Sequence, residues 1–237
     1  MANPYFKFKQ FAVHHDRSSL KVGTDAVLLG AWADVADAKC ILDIGTGSGV
    51  IALMLAQRST AQIDAIDIDE ESTKQAQENF LASPWSERLR VHNISLNDFT
   101  TTATAKYDLV VSNPPYFTDS FKPTDPQRFS ARHNDQLPIH ELAENSAKLL
   151  SPTGKFCVIL PVKEAGLLTA ALRSHGLFPE KELWVYSFTG KEVFRKLILF
   201  GRSETSCLKE ELTIETAPGQ GYSKEYVELT RGYYLNF

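Results

Sequence analysis

The chain has 237 residues, 43% of them hydrophobic and 23% charged, with 25 basic side chains against 29 acidic ones and a formal net charge of −4. That length and balance suit one large α/β domain with a substantial core, and they exclude a generic nucleic-acid coat while leaving room for a local basic rim that holds a folded RNA. Cys40, Cys157 and Cys207 are far apart and show no metal-ligand spacing, no run approaches about 18 apolar residues, and Met1-Ala2-Asn3-Pro4-Tyr5 has no apolar signal region. A soluble cytoplasmic protein is expected, reduced, without a metal and without a membrane span.

Residues 1–24 alternate aromatic and basic positions: Phe6, Phe8 and Phe11 against Lys7, Lys9, Arg17 and Lys21, with His14 and His15 between. Four cations against Asp16 give a local charge of +3. The period of two predicts an edge strand or extended arm, whose basic face either meets phosphate or simply covers a core. Gly23-Thr24-Asp25 ahead of the apolar run from Ala26 to Trp32 marks a helix N-terminus.

Cys40 to Ile44 is a short apolar run that ends at Gly45-Thr46-Gly47-Ser48-Gly49, after which Val50, Ile51, Leu53, Met54 and Leu55 continue as a buried helix. Strand, glycine loop and helix in that order make a nucleotide cradle, since glycines let the backbone approach a ligand and the helix start offers unpaired N–H groups. It is not the dinucleotide fingerprint, which needs Gly or Ala where the chain has Val50. Asp43 repels a pyrophosphate and suits the cationic amino group of a methionine moiety. Gln62 to Asp69 reads as a second strand ending in acids, with Asp67 placed to take ribose hydroxyls and Asp69, Glu70 and Glu71 opening a helix over 70–82. Arg90 to Asn93 is a weak third strand, followed by Ser95, Asn97 and Asp98, any of which can meet an adenine amine, and then by a polar loop over 100–105.

The fourth strand, Tyr107 to Ser112, delivers Asn113-Pro114-Pro115-Tyr116. Two prolines remove two backbone donors and leave the carbonyls beside them free to accept; Asn113 adds an amide oxygen and Tyr116 an aromatic face. The set suits a planar nitrogen. Residues 117–136 carry Lys122, Arg128, Arg132 and His133 among Asp119, Asp125 and Asp135, the pattern of a flap over substrate or of a solvated loop. Beyond it the pattern predicts a helix from Pro138 to Leu150, a turn at Ser151 to Gly154, a strand from Lys155 to Leu160, and a helix over 163–175 stopped by Gly176. A hairpin of Glu182–Phe188 with Phe194–Phe200, a strand at Leu212–Glu215 and a helix from Ser223 to Thr230 complete the chain.

Asp43-x-Gly45-x-Gly47-x-Gly49, Asp67 and Asn113-Pro114-Pro115-Tyr116 resemble the first motif, the ribose acid and the fourth motif of class I S-adenosylmethionine-dependent methyltransferases that act on amino or amide nitrogen. Phe6 to Phe11, Lys21 to Asp25, Leu28 to Trp32, Tyr222-Ser223 and Tyr233-Tyr234-Leu235 extend the likeness over nearly the whole chain to the bacterial tRNA1(Val) adenine-N6-methyltransferase family, which modifies the adenosine just 3′ of the anticodon. The resemblance implies a Rossmann-like α/β fold: a mostly parallel seven-stranded sheet with a C-terminal antiparallel hairpin and helices on both faces. It implies one domain over 1–237, with an arm and helix (1–39) packed on the core, a C-terminal extension (202–237), and a monomer acting on tRNA.

By the same likeness Asn113, Pro114, Pro115 and Tyr116 are catalytic, while Lys21, Thr24, Asp25, Asp43, Gly45, Thr46, Gly47, Gly49, Asp67, Ile68, Ser95 and Asn113 hold S-adenosylmethionine. Lys7, Lys9, Arg17, Lys122, Arg128 and Arg132 are the expected RNA contacts. One departure is Ser95, where related enzymes carry an acid. A glutamine N5-methyltransferase acting on a release factor uses the same acceptor motif, but such enzymes carry an N-terminal helical domain and only 39 residues precede the first strand here. A DNA adenine methyltransferase is disfavoured by the lack of a large recognition insertion. Val50 disfavours a NAD-dependent oxidoreductase, and the intact acceptor motif a non-catalytic RNA-binding module.

Overall fold

The computed structural model describes residues 3–18, 21–115 and 137–237. A first hairpin, β1 (Tyr5–Lys7) with β2 (Ala12–His14), precedes helix α1 (Thr24–Trp32). Then come β3 (Cys40–Ile44), α2 (Val50–Arg58), β4 (Gln62–Asp67), α3 (Glu70–Leu81), β5 (Leu89–Asn93), α4 (Leu96–Thr102) and β6 (Tyr107–Ser112). After the undescribed stretch follow α5 (Ile139–Leu149), β7 (Leu150–Leu160), α6 (Val162–Arg173), β8 (Phe178–Phe188), β9 (Val193–Gly201), β10 (Leu208–Glu215) and α7 (Lys224–Thr230).

The main sheet has eight strands in the order β10-β8-β9-β7-β6-β3-β4-β5. β3 lies between β4 and β6, both parallel to it, so the chain leaves β3 in one direction and returns on its other side. That is the switch point of an open α/β sheet, where two loops diverge and leave a crevice. The side chains of β3 after Cys40 are buried throughout, which is why this strand reads as an unbroken apolar run rather than an alternation. One layer of core gathers α1, α2, α3, the N-terminal hairpin and Tyr226 and Tyr233 of the tail; the other gathers α4, α5 and α6.

Three expectations are corrected. The sheet has eight strands rather than seven, because the last strand, β10, joins it by pairing parallel to β8 beyond the antiparallel β8–β9 hairpin; β10 also begins at Leu208, four residues before the expected start. Ser151 to Gly154 is not a turn between helix and strand but a bulge inside β7: Tyr107 pairs with Leu150, and the next pair is Leu109 with Lys155. Gly154 is needed there, since a Cβ on it would lie 2.5 Å from the Tyr107 carbonyl oxygen. Residues 100–102 belong to α4, whose threonine hydroxyls donate back to carbonyls of its own turns.

The N-terminal hairpin pairs with itself and lies outside the main sheet. Phe8 is buried against Phe11, Tyr233 and Tyr234, with ring centroids 4.7, 6.4 and 6.2 Å away. The Tyr233 hydroxyl donates to the Met54 carbonyl at 3.1 Å, so arm and tail close together over the helix that follows the glycine loop.

Candidate active site

Asp43, next to last in β3, is fully buried. Its Oδ2 accepts the Thr46 hydroxyl at 2.7 Å and the Ala52 N–H at 3.2 Å, which folds the glycine loop back onto its own strand. Its Oδ1 is equally buried and has no hydrogen-bond partner among the described residues. Burial raises the carboxyl to about 7 against the opposing pull of the Thr46 and Ala52 bonds, and the nearby Asp67 charge pushes the same way. A cation brought to Oδ1 relieves both the missing bond and the desolvation.

Gly45, Gly47 and Gly49 hold φ of 71°, 55° and 83°, the left-handed region that side chains with a Cβ avoid. A Cβ on Gly45 would meet nothing within 4 Å, so this is the open side of the cradle, whereas one on Gly49 would lie 2.5 Å from the Phe80 ring of α3. The N–H groups of Gly45 and Thr46 both donate to the Ile66 carbonyl, at 2.9 and 3.1 Å, and tie the loop to β4. β4 ends at Asp67, whose Oδ2 accepts the Gly47 N–H at 2.8 Å and whose Oδ1 accepts the Asp69 N–H at 3.0 Å. Burial raises this carboxyl as well. Ile68 beside it is 56% exposed, an apolar side chain left uncovered at the tip, and Asn93 pins that tip by donating to the Asp67 and Ile68 carbonyls.

Ser95 is the N-cap of α4: it accepts the Asp98 N–H at 3.1 Å and donates to Asp98 Oδ2 at 2.7 Å. Its hydroxyl is thus engaged in both directions within the first turn of the helix. Asn97 is tied to Glu141 and Asn145, while the exposed Asp98 keeps Oδ1 without a partner among the described residues.

On the other side of β3, Ser112 pairs in register with Ile44 and donates its hydroxyl to the Ile44 carbonyl at 3.0 Å. Asn113, half-buried, and Pro114, buried, follow at once, so the acceptor motif starts one strand spacing, about 4.8 Å, from the strand that launches the glycine loop. Tyr116, Lys122, Arg128 and Arg132, with the rest of residues 117–136, lie outside the described residues.

Lys21 and Thr24 are exposed at the entry to α1, and half-buried Asp25 pairs with Arg195 of β9 at 2.7 Å. Two of the expected RNA contacts have partners within the chain. Lys9 donates its ammonium to the carbonyls of Arg231 and Phe237, at 2.7 and 2.6 Å, and so fastens the arm to the tail. Arg17 pairs with Glu78 of α3. Lys7 is exposed and has no ion-pair partner among the described residues. Gln75 and Asn79, 1% and 2% exposed on α3, are not among the expected site residues; their signal in the sequence is two amides four apart on a helix, which puts both on one face. Among the described residues no helix is long and apolar enough to cross a membrane, and no three His, Cys, Asp or Glu side chains could hold a metal ion.

Residues 17–164 match the model of the methyltransferase small domain family. Over 238 aligned residues the chain is 48% identical to the tRNA1(Val) (adenine(37)-N6)-methyltransferase of Phocaeicola vulgatus, covering 100% of both chains. It is 43% identical to the enzyme of that name from Aeromonas salmonicida, covering 98% of each. Among solved structures it is similar to a predicted O-methyltransferase from Agrobacterium tumefaciens, with a TM-score of 0.67 and 18% identity over 88% of this chain and 96% of that one. TrmN from Thermus thermophilus aligns with a TM-score of 0.51 and 22% identity over 70% of this chain and 44% of that one. These two likenesses show the class I methyltransferase fold.

Proposed function

The chain belongs to the tRNA1(Val) (adenine(37)-N6)-methyltransferase family, and from that premise we propose that it transfers a methyl group from S-adenosylmethionine to the exocyclic N6 amine of adenosine 37 in tRNA1(Val). The observation that carries the reading is the placement of the Asn113-Pro114 acceptors directly beside the glycine loop, through the Ile44–Ser112 pair. The residues fit the cofactor. The partnerless Asp43 Oδ1 suits a cationic amino group, the Gly45 side of the loop is open to a ligand, and Asp67 sits at the strand tip where ribose hydroxyls are taken. Exposed Ile68 supplies an apolar cover for an adenine face, and Asp98 Oδ1 is the acceptor we assign to its amine in place of Ser95. Lys21, Thr24 and Asp25 complete the entry side.

When bound, S-adenosylmethionine supplies a methyl group on a sulfonium, already a strong electrophile. The chain's task is then placement. The target amine is a poor nucleophile because its lone pair is delocalised into the ring. The Asn113 side-chain oxygen and the Pro114 carbonyl accept its two N–H hydrogens, hold the nitrogen and favour a pyramidal geometry; Pro115 keeps the turn rigid. Tyr116 stacks on a base taken out of the loop. No dedicated base is needed, because the methylated amine is acidic and its proton leaves to water. We place the enzyme in the cytoplasm, with its tRNA substrate.

Tritiated methyl transfer to unmodified tRNA tests the function. Label recovered as N6-methyladenosine next to the anticodon is expected; label entering a release factor or DNA instead overturns it.

A further inference from the structure

One face of α3 is polar and buried, which is costly unless every group on it is partnered. Ser72, Gln75 and Asn79 line this face, spaced three and four residues apart, and all are at most 2% exposed. Their partners are backbone and side-chain groups of the N-terminal arm, with one carbonyl of the glycine loop. Gln75 Oε1 accepts from two successive amides, Arg17 N–H at 3.2 Å and Ser18 N–H at 2.9 Å, while its Nε2 donates to Asp16 Oδ1 at 2.7 Å. Asn79 accepts the His14 N–H at 2.9 Å and donates both to the His14 carbonyl and to the Ser48 carbonyl of the glycine loop, each at 2.8 Å. Ser72 donates to the Ser18 hydroxyl at 3.3 Å.

The result is a seam in which α3 holds the arm against the loop. Ser18 is buried, and its hydroxyl would stand 3.5 Å from a Cβ placed on Gly47, the residue whose N–H is bound by Asp67. His15 closes the same stretch from outside: its Nδ1 accepts the Val22 N–H at 3.2 Å, which leaves Nε2 to donate to the Asn3 carbonyl at 3.0 Å.

We propose that Gln75 is a positioning residue of the cofactor site: by clamping the backbone of Arg17 and Ser18 to α3, it makes the arm the wall that closes the site beside Gly47. The proposal rests on the reading of the glycine loop as the cofactor's cradle. Gln75 touches no reacting atom. Its contribution is to keep a wall in place before the ligand arrives, so that binding does not have to order it. Affinity should move, and turnover at saturation should not.

The test measures the Kd of S-adenosylhomocysteine by calorimetry and kcat on tRNA for the full chain. Gln75→Leu is expected to weaken binding on the order of tenfold, the loss of one or two net hydrogen bonds, with kcat within about threefold of the wild type. Gln75→Glu combined with Asp16→Asn keeps the acceptor for both amides, reverses the outer bond and conserves charge, so it should restore Kd to within about threefold. A merely structural loss is represented by Leu168→Ala, in the layer across the sheet, which must lower Tm and leave Kd unchanged. An unchanged Kd in Gln75→Leu, or an equal rise in Leu168→Ala, overturns the proposal. Should Gln75→Leu fail to fold, the surface change Asp16→Ala is expected to raise Kd at least about twofold, and no change there overturns it too. Asp67→Ala separates the two levels: if it leaves Kd unchanged, the cradle itself is misassigned, whereas weakened binding there with a silent Gln75 sinks this inference alone.

Discussion

Asp43→Asn isolates the energetic consequence of burying an acid under the glycine loop. In the folded chain the Asp43 carboxyl protonates at about 7, against 3.8 for an unperturbed aspartate, chiefly because burial penalises the charge. A carboxyl raised on folding binds more protons folded than unfolded. Its stabilisation is therefore complete below the lower value, is lost as pH climbs between the two, and changes no further above the upper one. Starting at about pH 5, some two pH units of that window remain, which at roughly 1.4 kcal/mol each sets an upper bound of about 3 kcal/mol. Asparagine cannot ionise and still offers an oxygen to Thr46 and Ala52. Urea unfolding of both proteins, without cofactor, at about pH 5 and about pH 8 gives the measurement, and taking the difference between variant and wild type at each pH cancels the other titrating groups. The stability of Asp43→Asn relative to the wild type should rise by about 1–3 kcal/mol between those two pH values. A difference that stays constant with pH refutes the reasoning, because the carboxyl would then be ionised throughout. The proposed contact adds a second signature: wild-type affinity for S-adenosylhomocysteine should strengthen over the same window, as the anion that meets the amino group is formed, and the variant's should stay flat.

Asn113→Ala should lower kcat by about 100- to 1000-fold with the Kd of S-adenosylhomocysteine within about twofold, while Asp67→Ala should weaken that Kd by about 10- to 100-fold; steady-state kinetics with calorimetry separate the two. Gly49→Ala combines a left-handed φ of 83° with a Cβ 2.5 Å from the Phe80 ring, and should cost about 2–5 kcal/mol in chemical denaturation. Lys7→Ala should flatten the slope of log tRNA affinity against log salt by about 0.7–0.9 without loss of Tm, whereas Lys9→Ala should lower Tm and leave that slope alone, since its ammonium is bound to the tail.

The central strands and the glycine loop were legible because each rests on local chemistry: an unbroken apolar run, glycines where φ must be positive, and acids at the first turn of α3, where Asp69 caps the helix by accepting the Ser72 N–H at 2.9 Å. What stayed hidden depends on partners far along the chain. Proline and glycine at 152 and 154 punctuate a bulge in β7 with the same residues that would mark a turn. The parallel pairing of β10 with β8 leaves no local signature, because its register is set across a connection and not by a hairpin. Lys9 looked like a phosphate ligand by its alternation with aromatics, and only the fold brings it to carbonyls 222 and 228 residues away. Nothing near Gln75 and Asn79 in the sequence marks the arm that covers them, since their partners lie about 30 to 65 residues away.

The same long-range partners show how the two ends of the chain bear on the glycine loop at its centre. Phe8 stacks on Phe11 and meets Tyr233 and Tyr234, Lys9 holds the tail, and Tyr233 reaches the Met54 carbonyl in the helix behind the glycine loop. An arm anchored in this way presents His14 to Ser18 to α3 at a fixed depth, and α3 in turn fixes them against Ser48 and Gly47. Across the loop, a single buried hydroxyl, that of Ser112, ties the acceptor strand to the carbonyl of the residue before Gly45. Methyl transfer tolerates little misplacement, since an error of about 1 Å in the reacting pair can cost on the order of a hundredfold in rate. The proposed donor and acceptor sites suit that demand by standing on adjacent, hydrogen-bonded strands, which leaves only the outer wall to a segment that has to be clamped from both ends of the sequence.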